Sequence, residues 1–313
     1  MRLLVITNDF PPTVGGIENY IYSLVRRWPP DDVVVVTRSV PGDADFDAGQ
    51  AFEIVREPTD VLLPLPGLVR KISRLAADRG IDVVHFPSTL PLGLMGSGLG
   101  LPYATSVHGG EFVLASRIPG VRTLLKAVSR QASAILPESS FAESLVNRLV
   151  GHPAVTRVTC GVDAERYGEA ADPAPLGEDG PVVVSVSRLV ARKGGRTLVK
   201  AFPRVLDQHP TAHLAIVGGG PDLDLLRKMA AAEGVERSVT LTGPQPWDRI
   251  PSYLAAADVF ALPTRDRFFG TETEGLPLVY VEAAAAGLPL VGADVGGVRD
   301  AVRPGETGIL VDG

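Results

Sequence analysis

The 313-residue sequence contains a single cysteine, Cys160, so no disulfide can form within the chain. Cysteine usage this low is typical of proteins of a reducing compartment, and we therefore expect a cytoplasmic protein. The opening segment MRLLVITNDF has too short an apolar run for a secretion signal. No stretch of the sequence approaches the ~18 uninterrupted apolar residues of a membrane-spanning helix, so none is predicted.

An excess of basic charge is also missing. The sequence has 30 Lys and Arg against 36 Asp and Glu, which gives a net charge of -6 at pH 7. Nucleic-acid-binding domains are usually basic, so this balance argues against a nucleic-acid partner. A hydrophobic content of 45% and a charged content of 21% are those of an ordinary globular protein.

Short runs rich in Val, Ile and Leu alternate with longer amphipathic segments along the whole chain. Buried strands are predicted at 2–7, 32–37, 82–86, 103–107, 133–137, 181–187, 212–218, 238–243, 258–263 and 288–293. Helices are predicted at 16–27, 67–79, 120–130, 138–149, 194–208, 221–232, 248–256 and 277–286. Strands without polar alternation, separated by helices, predict the α/β class with doubly wound parallel sheets.

The alternation is interrupted once, by a stretch rich in Gly, Pro and acidic residues at 161–180. We interpret residues 166–180 as a linker between two Rossmann-like domains, 1–165 and 181–313. Ligands of such sheets bind beyond the carboxyl ends of the strands, so we expect the ligand in a cleft between the domains. The sequence stops after the strand-like run in GETGILVDG, and we expect a truncated C-terminus that lacks a closing helix.

Two segments have the character of anion sites. In DFPPTVGGIENY, Gly15 and Gly16 follow a predicted strand and open a helix, whose first N–H groups favour a negative ligand. In SVSRLVARKGG, Arg188 and Lys193 follow the first strand of the second half. The guanidinium of Arg188 can donate two parallel hydrogen bonds and the ammonium of Lys193 supplies a compact charge, a combination that suits a diphosphate. Arg192 is expected to be a solvated surface charge.

Two further strand ends contain candidate ligand-binding residues. The glycines of IVGGGPD, with Gly219 at their centre, permit close backbone approach by a ligand, and Pro221 is expected to begin the next helix. His108 in SVHGGEF also lies at a predicted strand end, and Glu111 is a candidate to orient it or to bind a hydroxyl.

Carboxylates flank the Gly-Leu-Pro turn of the segment EGLPLVYVE. Glu274 precedes the turn formed by Gly275, Leu276 and Pro277, and Glu282 lies inside the helix that follows, with Pro277 expected at the first helical position. A carboxylate accepts two hydrogen bonds from a vicinal diol, which sugars and ribose both offer. We therefore expect the two acids to hold the polyol parts of one phosphate-linked ligand.

These motifs, in this order and spacing, make the chain similar to the retaining GT-B glycosyltransferases of glycosyltransferase family 4. The resemblance rests on Glu274 and Glu282 with seven residues between them, on SRLVARKGG, VGGGP and PPTVGGIE, and on ADVFALPT, GGVRDAV and GETGILV. It covers essentially the whole chain. Within the family, TNDFPPTVGGIENYIYSL and DVVHFPSTLPLGLMG most resemble actinobacterial phosphatidylinositol mannosyltransferases, which use GDP-mannose.

The resemblance implies a role for each candidate residue. Arg188 and Lys193 are similar to the pair that neutralises the donor diphosphate, and Gly16 to the glycine whose N–H touches it. By the same resemblance Glu282 binds the nucleotide ribose, Glu274 the transferred hexose, and His108 lies near the C6 hydroxyl of that sugar. The amides around Gly275, Leu276 and Pro277 are expected to meet phosphate or sugar, and the base is expected near residues 242–246.

The implied activity is a retaining, metal-independent transfer of a hexose, by resemblance mannose from GDP-mannose, to a hydroxyl of a lipid or glycan acceptor. The alternatives are a nucleotide-sugar epimerase or a non-catalytic nucleotide-sugar-binding protein. The absence of a suitably placed Asp-x-Asp motif agrees with a reaction that needs no metal.

In the segment 121–131, Arg122, Lys126 and Arg130 recur every four residues, which predicts a basic amphipathic helix that contacts an anionic membrane. Peripheral attachment to the inner face of the plasma membrane is expected from it.

Overall fold

The structure, a computed structural model, describes residues 1–168, 172–176, 180–268 and 272–313. The described residues form two compact units, Met1–Cys160 and Gly161–Gly313. The second unit begins at Gly161, five residues before the segment interpreted above as a linker. The bounds 1–165, 166–180 and 181–313 remain predictions.

The first unit is an α/β unit built on one parallel sheet. Its strands are β1 Leu3–Ile6, β2 Val33–Arg38, β3 Glu53–Glu57, β4 Val83–Phe86, β5 Tyr103–Val107 and β6 Ala134–Pro137. Its helices are α1 Gly16–Val25, α2 Asp43–Ala48, α3 Pro66–Asp78, α4 Gly96–Leu99, α5 Gly110–Arg117, α6 Pro119–Gln131 and α7 Ser140–Leu149. Short 3-10 helices occupy Pro30–Asp32 and Leu92–Met95. The strand order is β3-β2-β1-β4-β5-β6.

The second unit repeats this architecture with its own parallel sheet. Its strands are β7 Val182–Val186, β8 His213–Val217, β9 Val239–Gly243, β10 Val259–Leu262, β11 Leu290–Ala293 and β12 Gly308–Val311. Its helices are α8 Ala164–Gly168, α9 Gly195–Leu206, α10 Leu223–Ala232, α11 Ile250–Ala255, α12 Leu278–Ala285 and α13 Val298–Ala301. Short 3-10 helices occupy Ala191–Lys193 and Trp247–Arg249. The order β12-β11-β10-β7-β8-β9 has the same connectivity as that of the first sheet.

Burial on both faces explains why these strands are continuous apolar runs. In β1, Leu4 and Ile6 point into one apolar cluster, and Leu3 and Val5 point into another. Since successive side chains of a strand alternate between faces, both faces of this sheet are covered by helices. The β/α alternation and the parallel doubly wound sheets predicted from the sequence are confirmed.

Helix starts follow local sequence signals. Ser139 is the N-cap of α7, and its hydroxyl accepts a hydrogen bond from the N–H of Ala142 at 3.1 Å. Pro66 and Pro119 occupy the first positions of α3 and α6, where a proline costs no intrahelical hydrogen bond. Two expected prolines differ: Pro221 lies in a turn ahead of α10, and Pro277 is the N-cap of α12 rather than its first residue.

Each sheet has one point at which the strand order reverses. In the first sheet it lies between β1 and β4, and in the second between β7 and β10. Loops that follow the strands on either side of such a point diverge and leave a crevice at the carboxyl ends. The segment 187–194 follows β7, and the described residues 263–268 and 272–277 follow β10, so these two loops meet at the crevice of the second unit.

Elements with weak sequence signals were not predicted. The edge strand β3, with the sequence EIVRE, mixes charged and apolar residues, and helices α2, α4, α5, α8 and α13 are eight residues long or shorter. Among the described residues, no helix has the length and apolar character required to cross a bilayer.

Candidate functional site

The centre of the site in the second unit is a carboxylate held by two cations. Lys193 Nζ lies 2.8 Å from Glu274 Oε1 and 3.0 Å from Oε2, and the guanidinium of Arg192 donates to Oε1. The side chain of Glu274 is only 8% exposed. The two loops at the β7/β10 crevice are therefore joined by an ion-paired cluster directly beyond the carboxyl ends of the strands.

Backbone contacts fix the two loops that carry this cluster. The N–H of Arg265 donates to the carbonyl of Arg192 at 2.8 Å, and the N–H of Gly297 donates to the carbonyl of Glu274 at 3.0 Å. Gly194 adopts a φ of 76°, and a Cβ there would lie 2.1 Å from the carbonyl oxygen of Pro263. Only glycine permits that approach, so the loop after β7 packs on the loop after β10.

Arg192 differs from its expected role. Its side chain is 21% exposed and bonded to Glu274, so the prediction of a solvated surface charge is wrong. Arg188 is exposed instead, and among the described residues no carboxylate pairs with it. Among the described residues, this cluster thus combines three cations, Arg188, Arg192 and Lys193, with one buried acid, Glu274, and its net positive charge favours an anionic ligand.

The ionisation of Lys193 reflects this crowding. Burial lowers the pKa of its ammonium group, Glu274 raises it, and the charges of Arg192 and Arg188 lower it again, with a net lowering. A buried lysine beside two guanidinium groups gains from a further anion nearby. A diphosphate in this crevice would therefore stabilise the charged form of Lys193.

The glycine turn after β8 is shaped by packing against its neighbours. A Cβ on Gly218 would lie 1.9 Å from the carbonyl oxygen of Ser187, and one on Gly220 would lie 2.4 Å from that of Leu189. Gly219 contacts Pro244, with a hypothetical Cβ 3.1 Å from the proline ring. Loop packing therefore already requires Gly218 and Gly220, and the assignment of Gly219 to donor binding remains a prediction.

The turn after Glu274 leads directly into α12. The side chain of Leu276 is buried in the unit and Gly275 is half-buried. Pro277 closes the turn as the N-cap of α12, so the predicted ligand contacts of residues 275–277 rest on backbone groups at a helix start. These contacts remain predictions.

Glu282 lies in the second turn of α12 and has a partner that the sequence did not indicate. The hydroxyl of Tyr167, on α8, donates to Glu282 Oε1 at 2.8 Å. Burial raises the pKa of the Glu282 carboxyl, against the lowering effects of Tyr167, Trp247 and Arg166. The guanidinium of Arg166 lies 3.5 Å from the centre of the Trp247 ring. Residues on α8 and at 247 thus surround the predicted ribose-binding acid.

A second polar cluster lies at the strand ends of the first unit. His108 follows β5, and its Nδ1 lies 2.6 Å from Oε2 of Glu138, which follows the adjacent strand β6. The other ring nitrogen, Nε2, lies 2.7 Å from the carbonyl oxygen of Pro87, which follows β4. Glu138, rather than the expected Glu111, therefore orients the histidine, while Glu111 Oε1 is buried without a hydrogen-bond partner among the described residues.

The partners of His108 decide its protonation. The Pro87 carbonyl can only accept a hydrogen bond, so Nε2 must carry a proton. The Glu138 carboxylate is also an acceptor, so Nδ1 carries a second proton. Burial lowers the pKa of His108, but the hydrogen bond and charge of Glu138, with help from Glu111 and Pro87, outweigh burial and raise the pKa to about 9. His108 is therefore an imidazolium at neutral pH.

This ionisation predicts a pH-dependent stability. The folded pKa of about 9 lies above the ordinary value of 6.5, so the contribution of protonated His108 is complete below pH 6.5 and is lost as the pH rises towards 9 and beyond. A difference of that size corresponds to about 3 kcal/mol at most. We expect Glu138→Gln to lower the melting temperature strongly at pH 6 and much less at pH 9.5.

Thermal melting from pH 6 to 9.5 measures this effect, with Glu143→Gln as a matched control. Glu143 lies on α7 at 3.7 Å from Arg157, and both side chains are at least one-third exposed. Its replacement should leave the pH profile of the melting temperature unchanged. A loss in Glu138→Gln that is equal at both pH values would contradict the imidazolium assignment.

Gly15 and Gly16 lie at the start of α1, as the sequence predicted. Gly15 is the N-cap, and the space beside Gly16 is open, since a Cβ there would have no heavy atom within 4 Å. The Glu18 carboxylate lies directly beside Gly15, where a Cβ would come within 2.1 Å of Oε2. An anion at these amides therefore requires the flexible Glu18 side chain to move away.

The residues of these clusters that were not selected from the sequence include Glu138, Arg166, Tyr167, Arg192 and Trp247. The signal for Glu138 was present, because it follows a predicted strand just as His108 does. Tyr167 lies in the segment interpreted as a linker, and no pattern there points to a contact with α12. Arg192 and Trp247 are neighbours of predicted residues, but only the loop conformation decides which way they face.

Comparison with known proteins gives two family matches. Residues 14–166 match the model described as Glycosyltransferase Family 4, and residues 169–313 match the model described as Glycosyl transferases group 1. The chain is 38% identical to the GDP-mannose-dependent alpha-(1-6)-phosphatidylinositol monomannoside mannosyltransferase of Mycobacterium tuberculosis, over all of this chain and 85% of that protein. It is 34% identical, with the same coverage, to the GDP-mannose-dependent monoacylated alpha-(1-6)-phosphatidylinositol monomannoside mannosyltransferase of Corynebacterium glutamicum.

Solved structures agree at the level of the fold. Sucrose-phosphate synthase from Thermosynechococcus elongatus superposes with a TM-score of 0.79 at 22% identity, covering 99% of this chain and 86% of that one. Anabaena Alr3699/HepE in complex with UDP and glucose gives 0.78 at 20% identity, covering 100% and 86%. The predicted GT-B class, with two Rossmann-like units, is confirmed.

Proposed function

The chain belongs to glycosyltransferase family 4, and on that premise we propose that it transfers mannose from GDP-mannose to a hydroxyl of a phosphatidylinositol mannoside. Glycosyl transfer itself follows from membership of the family. The observation that carries the proposal is the buried Glu274 between Lys193 and Arg192, beyond the strands of the second unit. The choice of donor and acceptor is supported by the names of relatives that match this whole chain at 34–38% identity.

In the proposed complex the cations of the second unit bind the donor diphosphate. Arg188 is exposed and ready for a forked contact with phosphate oxygens, and Lys193 supplies a point charge at the crevice. As the bond between mannose C1 and the phosphate oxygen breaks, negative charge builds on the departing GDP. Fixed cations in a partly buried site stabilise that charge strongly, and we propose that no metal ion is required for it.

The reaction is proposed to retain the anomeric configuration. The acceptor oxygen forms the new bond to C1 on the face that the diphosphate leaves, and the acceptor proton passes to the leaving phosphate oxygen. Both oxygens of Glu274 are engaged by cations, which makes this carboxylate a poor nucleophile. By the family resemblance we assign Glu274 to the hydroxyls of the hexose, Glu282 to the ribose, and His108 to the C6 hydroxyl of the sugar. Both ring nitrogens of His108 already have partners, so the C6 hydroxyl would have to replace the Pro87 carbonyl as the acceptor for Nε2.

Product formation tests the proposal. The full chain is incubated with radiolabelled GDP-mannose and vesicles that contain phosphatidylinositol monomannoside, and the lipid fraction is analysed by chromatography and NMR. We expect a lipid with one more α-linked mannose, unchanged in yield by EDTA. Transfer from UDP-glucose but not from GDP-mannose would overturn the donor assignment, and binding without any turnover would favour a non-catalytic protein. Conversion of the nucleotide-sugar to an epimer without acceptor would favour an epimerase.

The acceptor lipid requires a membrane, and α6 is the proposed contact. The helix Pro119–Gln131 packs Leu125 and Val128 into the first unit, while Leu124 is 47% exposed. Arg122 and Arg130 are exposed on the same helix, with Lys126 half-buried between them. Because basic side chains near an anionic surface each contribute ~1 kcal/mol, three of them attract the helix to phosphatidylinositol-rich bilayers.

Charge reversal of Arg122, Lys126 and Arg130 to glutamate is expected to lower binding to anionic vesicles about 100-fold or more, because three attractions become repulsions. Co-sedimentation measures it, at constant ionic strength. A variant with the same charge change, Lys200→Glu with Arg204→Glu and Lys228→Glu, alters exposed cations of α9 and α10 and should still bind. Equal binding by both triple variants would refute a role for α6.

A further inference from the structure

The contact between Tyr167 and Glu282 joins residues 115 positions apart in the sequence. The Tyr167 side chain is 5% exposed and belongs to the same apolar cluster as Val182 and Tyr280. Its ring is therefore held by packing, and its hydroxyl reaches Glu282 Oε1 at 2.8 Å from a fixed position. Glu282 itself is half-buried and lies on the face of α12 that is directed towards α8.

The hydroxyl acts on Glu282 only as a donor. Burial, followed by the charge of Glu282, raises the pKa of Tyr167 far above neutrality, so the phenol keeps its proton. The carboxylate oxygen that accepts this hydrogen bond, Oε1, has a defined direction. The Trp247 side chain also acts on the Glu282 carboxyl and lowers its pKa. Each carboxylate oxygen has two lone pairs, so the second oxygen, Oε2, can accept from a further donor. A vicinal diol supplies such donors.

A neighbouring contact keeps α8 in place. The guanidinium of Arg166 stacks on the Trp247 ring at 3.5 Å and donates to the Trp247 carbonyl at 3.1 Å. Successive residues of one short helix are thus tied to two different parts of the unit, the 3-10 helix Trp247–Arg249 and the second turn of α12. A helix of five residues has little stability alone, so these contacts determine its position.

We propose that Tyr167 is a positioning residue for donor binding, which holds the Glu282 carboxylate through Oε1 so that its second oxygen, Oε2, meets the ribose diol of the nucleotide. The proposal rests on the proposed function, in which Glu282 binds ribose. Without the hydroxyl, the carboxylate rotates more freely and must be ordered by the ligand. Loss of one hydrogen bond to a charged group corresponds to a roughly tenfold weaker ribose-dependent binding.

The test compares GDP with 2′,3′-dideoxy-GDP by calorimetry on the full chain. The variants are Tyr167→Phe, which removes a single oxygen and keeps the packed ring, Glu282→Gln, and Tyr253→Phe. Tyr253 packs on the same apolar cluster from α11 and serves as the matched control. We expect the wild type to bind GDP more tightly than the dideoxy analogue, and Glu282→Gln to lose most of this preference. In Tyr167→Phe the affinity for GDP should fall about tenfold relative to that for the analogue, and Tyr253→Phe should resemble the wild type.

The outcomes separate this inference from the proposed function. A wild type that binds GDP and the dideoxy analogue equally would remove the ribose assignment of Glu282 itself. A wild type and Glu282→Gln that behave as expected, with Tyr167→Phe unchanged, would overturn only the role of Tyr167. Equal weakening of both ligands by Tyr167→Phe would also overturn it, since that is the result of a general structural defect. In turnover, Tyr167→Phe should raise KM for the donor and leave kcat nearly unchanged.

Discussion

Lys193→Ala is expected to weaken GDP binding about 100-fold or more. The ammonium group is 15% exposed and lies at the crevice between the loops after β7 and β10. Truncating one member of a buried charged contact typically costs 2–5 kcal/mol, which corresponds to roughly 30-fold to several thousandfold in affinity. Calorimetric titration with GDP measures the loss, and GMP, with one phosphate fewer, should lose much less.

Glu274 complicates this experiment in a way that can be measured. After removal of Lys193 the carboxylate retains Arg192 as its one charged partner among the described residues, so part of the loss will come from repulsion between Glu274 and the diphosphate. The double variant Lys193→Ala with Glu274→Gln should therefore recover some affinity for GDP. Lys200→Ala, which removes an exposed lysine of α9, is the control and should bind GDP normally. If Lys193→Ala bound GDP with the affinity of the wild type, the assignment of the diphosphate site to the crevice of the second unit would be contradicted.

Glu274→Gln should separate catalysis from nucleotide binding. The substitution keeps the size of the side chain and removes the charge that Lys193 and Arg192 share. If Glu274 contacts the hexose as it becomes cationic, its loss should reduce kcat by about 100- to 1,000-fold. GDP lacks the hexose, and the crevice of this variant is more positively charged. The affinity of Glu274→Gln for GDP should therefore be unchanged or higher.

Glu272→Gln is the matched control for this prediction. Glu272 lies two residues earlier on the same loop, is 43% exposed, and pairs with Arg267 at 3.6 Å. Its replacement should change neither kcat nor GDP affinity appreciably, since exposed ion pairs contribute little. A parallel fall of kcat and GDP affinity in Glu274→Gln would indicate that the residue acts on the nucleotide or on the loop, and the hexose assignment would have to be abandoned.

Most of the fold was predictable because it depends on local patterns. Runs such as RLLVIT and DVVVVT are apolar at every position, and burial of both sheet faces is what such runs require. The rule that ligands bind at strand ends also identified His108, Arg188 and Lys193 as candidates. The edge strand β3 was missed because it is bordered on one side only and therefore tolerates charged residues such as Glu53.

The sequence by itself determined the α/β class, the two successive sheets and the membership of most candidate residues in strand-end loops. Tertiary structure alone decided which side chains pair with the candidate residues: Arg192 with Glu274, Glu138 with His108, and Tyr167 with Glu282. The physical reason is the range of the interactions. Periodicity and helix signals act within a few residues, whereas a hydrogen bond between groups 30 to 115 positions apart depends on the direction of each loop after its strand.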